Sequence, residues 1–160
     1  STVGGGLINT ASGSYAIISG GLNNTASGGG SIVGGGNGNR ASNSDATVAG
    51  GNSNLASGLR STVGGGESDT ASGDRAFVGG GYGNVASGNQ SSVGGGSSND
   101  ATNIASVIAG GTGNKADGIY SSICGGSSNF ATGDVSTIGG GEYNWATGDT
   151  ASVGGGGHLM

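Results

Sequence analysis

Residues 61–66 read Ser-Thr-Val-Gly-Gly-Gly, and the same six residues open the chain at Ser1–Gly6. Variants stand between and beyond: AIISGG from Ala16, SIVGGG from Ser31, ATVAGG from Ala46 and AFVGGG from Ala76. The spacing is 15 residues and it never slips. Counting positions of the repeat from Ser1, position 3 holds Val3, Ile18, Val33, Val48, Val63, Val78, Val93, Ile108, Ile123, Ile138 and Val153. All are β-branched. Positions 5 and 6 are glycine in all eleven repeats. Position 11 is alanine in all ten, from Ala11 and Ala26 to Ala146. Position 9 is asparagine in nine of ten (Asn9, Asn24, Asn39, Asn54, then Asn84 onward), with Asp69 the exception.

A fixed period without insertions implies that every repeat lies on the last. Small or apolar residues alternate over positions 1–4 and again over 9–12, the two-residue period of strands. Each run ends in glycine, or in asparagine, residues that tolerate the backbone of tight corners. The expected fold is all-β: a β-solenoid of 15-residue turns, with two short strands per turn and parallel pairing from turn to turn. Ten turns at about 4.8 Å make a rod on the order of 50 Å long. Neighbours one period apart agree with stacking: Leu7 on Leu22, Ile17 on Ile32, Phe130 on Trp145, and Asp100 one turn before Lys115. Arg60 over Arg75 and Asp134 over Asp149 are like charges, so those positions are expected to be solvated. The roll is expected to span residues 1–156, with 157–160 an off-pattern tail.

Composition narrows the function. Of 160 residues 43 are glycine and none is proline; only 8% are charged. Four basic residues and a net charge of −5 give no basic stripe for a nucleic-acid backbone. Cys124 is the single cysteine, so an intrachain disulfide and a Cys/His zinc cluster are both excluded. No apolar run approaches the roughly 20 residues of a membrane-spanning helix. No signal peptide is evident, and a start at Ser1 without Met points to a processed or cut chain. The single histidine, His158, lies in the tail, and a regular rod offers no cleft for Ser/His/Asp or Cys/His chemistry. No catalytic residue, cofactor or metal is therefore expected. Calcium-binding glycine rolls have a nine-residue period and aspartates. Here position 9 is asparagine, expected to form an internal ladder in which each amide bonds the next.

A roll this thin buries little. One Val or Ile per turn contributes about 1.5–3 kcal/mol, little against the entropy of ordering a whole turn. Position 2 points away from position 3 and carries Ile17, Ile32, Phe77 and Val107 among Thr and Ser. These four are expected to face another chain, packed around a symmetry axis. The small residues at position 4 and the glycine pair would let backbones approach closely.

The pattern STVGGGxxxxASGxxA at Ser61–Ala76 resembles the head repeats of YadA-like trimeric autotransporter adhesins. It is most similar to the ubiquitous surface protein type of Moraxella, whose heads carry a Gly-Gly-Gly corner and an Asn-x-Ala strand. The resemblance covers residues 1 to about 156. It implies a left-handed parallel β-roll and a homotrimer. It also implies a place on the outer surface of a Gram-negative bacterium, anchored to the outer membrane through parts absent here. Such heads bind host extracellular-matrix proteins, host cells or each other. The best-known head motif, SVAIG, does not occur, nor do a neck motif, a heptad stalk or an anchor barrel. Similar repeats occur in phage tail fibres and other secreted filaments.

Three non-enzymatic readings follow. For an adhesin, the irregular exposed aromatics are the contact candidates: Tyr82, Tyr120, Phe130, Tyr143 and Trp145, with Tyr15 beside them. Phe130 and Trp145 serve equally well as packing between turns. A phage tail-fibre shaft or passive spacer would have no ligand of its own. Ice binding would use the hydroxyl row at position 12 (Ser12, Ser27, Ser42, Ser57, Ser72, Ser87, Thr102), which Asp117 interrupts.

Overall fold

The computed structural model describes residues 1–157, so His158–Met160 of the expected tail lie outside the described residues. The chain is an all-β parallel solenoid of about ten turns. Eleven two-residue strands, Thr2–Val3 through Ser152–Val153, form one parallel sheet at positions 2 and 3. Ten more, Thr10–Ala11 through Trp145–Ala146, form a second sheet at positions 10 and 11. Register is one repeat throughout: Val48 pairs with Val63 and Ala56 with Ala71. The strands are shorter than the four-residue runs expected from alternation, because both sides of each are taken up by corners.

The structure adds a third ladder. Position 7 forms a line of single parallel bridges, from Leu7↔Leu22 through Asn52↔Glu67 to Ser127↔Glu142. Two further corner positions lie in the left-handed backbone region in nearly every turn. Position 8 (Asn23 φ 56°, Ser53 φ 58°, Tyr143 φ 56°) and position 15 (Tyr15 φ 60°, Arg60 φ 56°, Val135 φ 57°) are the residues concerned. From the second turn onward, the N–H at each reaches back to a carbonyl of the preceding turn, as Asn23 to Leu7 at 2.9 Å and Arg60 to Ser44 at 2.9 Å. The corners are thus hydrogen-bonded in a direction opposite to the strands, and this fixes their left-handed residues.

The core is a narrow column. Positions 1, 3, 9, 11 and 13 point inward. Ile18, Val33, Val48, Val63, Val78, Val93 and Ile108 are fully buried, facing Ala26, Ala41 and their equivalents. Val3 departs from the expected buried ladder and is 44% exposed, and Asn9 and Ala11 are only part-buried. All three lie on the first described turn, where one side of the column is uncovered.

Position 6 shows why glycine recurs. Gly51 has φ +93°, and an added methyl would strike the Gly66 carbonyl oxygen of the next turn. Position 13 is less strict: Asn43 and Asn103 occupy it, their amides donating to Ser57 O at 3.1 Å and Asp117 O at 3.0 Å.

Candidate functional site

The asparagine column is the most ordered polar feature, and its bonding differs from a simple amide chain. Each side-chain nitrogen donates to two glycine carbonyls, one in its own turn and one in the next. Asn54 Nδ2 bonds Gly50 O and Gly66 O, both at 2.9 Å. Each Oδ1 accepts the backbone N–H of the next position 9, as Asn39 Oδ1 does from Asn54 at 3.0 Å. Direct amide-to-amide bonds occur as additions, for example Asn99 Nδ2 to Asn84 Oδ1 at 3.1 Å. The amides therefore clamp the glycine corner to the strand that follows it, and their role is structural.

On the outside, position 2 carries Ile17 at 42%, Ile32 at 38%, Phe77 at 42% and Val107 at 40% exposure. Beside it, position 4 is Gly, Ser, Ala or Cys in every turn, with Cys124 exposed. Position 5 follows, and it is glycine without exception. That uniformity has no cause inside the chain at several turns. At Gly20, Gly50 and Gly65 an added methyl meets nothing within 4 Å, and none of the three has a left-handed φ. Outward positions 7, 8, 10, 14 and 15 vary from Gly to Trp across the same turns. Positions 2, 4 and 5 thus form a stripe with branched side chains at one margin and bare backbone at the other. Sequence reading located its members, but the lack of an internal reason for position 5 needed the structure.

The aromatic candidates do not form one patch. Tyr82 stands at position 7, Tyr143 at 8, Phe130 and Trp145 at 10, and Tyr120 at 15. Only Phe130 and Trp145 stack, with ring centroids 4.3 Å apart. Tyr82, Tyr120, Tyr143 and Trp145 are all well exposed, as is Tyr15.

Charges are sparse and mostly on corners. Arg60 does not stand over Arg75 unaided: it reaches Asp45 at 3.8 Å, and Arg75 reaches Asp74 at 3.4 Å. Asp134 and Asp149 tolerate each other because each carboxylate accepts a backbone N–H of the preceding turn, from Ile119 at 2.8 Å and Asp134 at 3.1 Å. Lys115 pairs with Asp117 at 3.4 Å, although its strand partner in register is Asp100. The Thr102 hydroxyl donates to Asp117, holding that carboxyl below its ordinary range, helped by Lys115. Burial raises Asp100, with Lys115 opposing. The bond from Thr102 also engages a member of the position-12 hydroxyl row in the protein's own network. Among the described residues, no three His, Cys, Asp or Glu side chains converge in a metal-holding group.

Compared with known proteins, the chain matches no family model and no curated protein.

Proposed function

We propose that the chain is the head of a trimeric bacterial surface adhesin, a non-enzymatic rod that attaches to host matrix proteins or cells, or to itself. The adhesin reading rests on the resemblance of Ser61–Ala76 and its repeats to YadA-like heads. The observation that supports it from the fold is the stripe of positions 2, 4 and 5. A glycine kept in all eleven turns, although at Gly20, Gly50 and Gly65 neither φ nor the chain's own packing demands it, fits close approach by another backbone. Ile17, Ile32, Phe77 and Val107 supply the apolar contact alongside it. In this reading three left-handed rolls pack these stripes around a common axis, leaving the variable corners outward. Tyr82, Tyr120 and Tyr143 then stand on the ligand-facing surface at the cell exterior.

Light scattering after gel filtration tests the assembly. A mass near three times 14.7 kDa, stable on dilution, is expected. A folded monomer overturns the trimer. Saturable binding to immobilised collagen, fibronectin or laminin is expected of the trimer. A trimer that binds none of them and does not agglutinate is a shaft, and thermal hysteresis at millimolar protein would replace adhesion with ice binding.

A further inference from the structure

Asp69 stands alone in the asparagine column and is fully buried. Its Oδ1 does what every asparagine oxygen there does: it accepts the backbone N–H of the next turn, from Asn84 at 2.7 Å. Its own N–H donates to Asn54 Oδ1 at 2.9 Å. Its Oδ2 has no partner. This oxygen occupies the place of the amide nitrogen, since a methyl on Gly66 would strike it just as one on Gly51 would strike Asn54 Nδ2.

That place is built for a donor. In the flanking turns the nitrogen gives two bonds, Asn54 to Gly50 O and Gly66 O, and Asn84 to Gly80 O and Gly96 O at 3.0 Å. The equivalent carbonyls around Asp69 are those of Gly65 and Gly81. A carboxylate is acceptor-only, whereas a carboxylic acid has one O–H to give. An ionised Asp69 would set an unpaired charge against two carbonyl oxygens inside the coil, where nothing replaces its lost hydration. We propose that Asp69 keeps its carboxyl proton in the folded rod, on Oδ2 and donated to Gly65 O or Gly81 O, and that losing this proton as pH rises loosens the coil at this turn.

No neighbouring charge offers another solution. Every other buried side chain of this turn and the two flanking it is uncharged, Asn54 and Asn84 among them. The titratable or charged groups of this and the flanking turns, Arg60, Glu67, Asp74, Arg75 and Tyr82, all stand at the outward positions 7, 14 and 15. Burial accordingly pushes the Asp69 carboxyl up from its ordinary 3.8, and hydrogen bonding from Asn84 only partly opposes this. Because the folded value lies above the unfolded one, the stabilisation is complete below the unfolded value and disappears as pH rises through the folded value. The rod thus has an acid-favoured joint in its fifth turn. At the other nine repeats an amide performs the same donation at every pH.

The test compares wild type with Asp69→Asn, which installs the residue found in the other nine repeats. Unfolding midpoints are followed from about pH 3 to about pH 8. The expected result is a variant that gains on wild type as pH rises, with the smallest difference in acid. A difference that is constant with pH, or that widens toward acid, overturns the proposal. Carboxyl carbon NMR of the wild-type protein reads the same group without a variant. A titration midpoint above 3.8 for Asp69 supports the assignment, and one at or below 3.8 refutes it.

Discussion

Phe130 and Trp145 lie one turn apart on the same strand ladder and stack with 18° between their ring planes. The contact is a consequence of the period: any two aromatics at position 10 of adjacent turns are brought to strand spacing, near the separation that ring stacking favours. Trp145 is nonetheless 59% exposed, so one of its faces remains open.

Trp145→Ala is therefore expected to cost about 1 kcal/mol, the stacking term plus a modest area of burial. Chemical unfolding followed by circular dichroism checks this. If the same variant also loses binding to a matrix protein while keeping its fold, the open face is the contact surface.

Glycines 50 and 51 separate two demands that look identical in sequence. Gly51→Ala places a methyl at a left-handed φ and against a backbone oxygen, so it should destabilise by about 3 kcal/mol or more. Gly50→Ala meets nothing within 4 Å of its own chain, and should shift monomer stability by only about 0.5 kcal/mol. The second variant is expected to keep wild-type circular dichroism and to lower the mass seen by light scattering. An unchanged mass for Gly50→Ala would remove the stripe from the interface.

Asn99 is the clearest case of the clamp. Its Nδ2 bonds Gly95 O and Gly111 O at 2.9 Å each, and its Oδ1 accepts the N–H of Asn114 at 3.1 Å. Asn99→Ala leaves Gly95 O and the Asn114 N–H without partners, while Gly111 O keeps its bond from the Ser97 N–H at 2.9 Å. With about 1–3 kcal/mol for each of these two groups, a loss of about 2–5 kcal/mol is expected in denaturant titration.

The period, the two strand ladders and the buried positions 3, 9 and 11 were legible in the sequence because a packed column restricts side-chain type. Val at position 3 and Ala at position 11 fill a fixed width, and Asn at position 9 satisfies fixed carbonyls. The position-7 ladder was not legible. Its bridges are made by backbone alone, so Leu22, Glu67, Tyr82 and Thr112 serve equally, and no pattern marks it. The left-handed corners were hidden for a related reason. Arg60, Tyr120 and Val135 take a conformation usually left to glycine or asparagine, held there by bonds to the preceding turn rather than by their own preference. The candidate contact residues were visible only as exceptions to the repeat, which gives each a location but no common patch.

Val135 is a costly residue at one of those corners. It is β-branched, has φ 57° and is 53% exposed, so it adopts an unfavourable backbone while burying little. Its N–H bond to Ile119 O at 2.7 Å is a backbone bond and survives substitution. Val135→Asn should raise stability by about 1 kcal/mol, seen as a higher thermal midpoint. A lower midpoint would mean that its exposed side chain makes contacts with another chain.

The proton assigned to Asp69 makes a prediction at a site where none is now needed. Asn99→Asp would remove the donor to Gly95 O and Gly111 O and replace it with a carboxyl oxygen, reproducing the Asp69 arrangement two turns further along. In acid the new carboxyl is protonated, gives one bond in place of two, and the variant should unfold close to wild type. As pH rises the unfolded chain releases this proton readily while the folded chain holds it, so the folded state loses its advantage. The variant's deficit should therefore grow from about pH 3 to about pH 7, the direction opposite to that of a surface carboxylate held by a cation. Asn99→Ala, which carries no titrating group, controls for the loss of the clamp and should show a deficit with no such slope. Parallel pH profiles for the two variants would mean that a carboxyl at position 9 ionises freely inside the coil, and would remove the physical basis for the proton at Asp69.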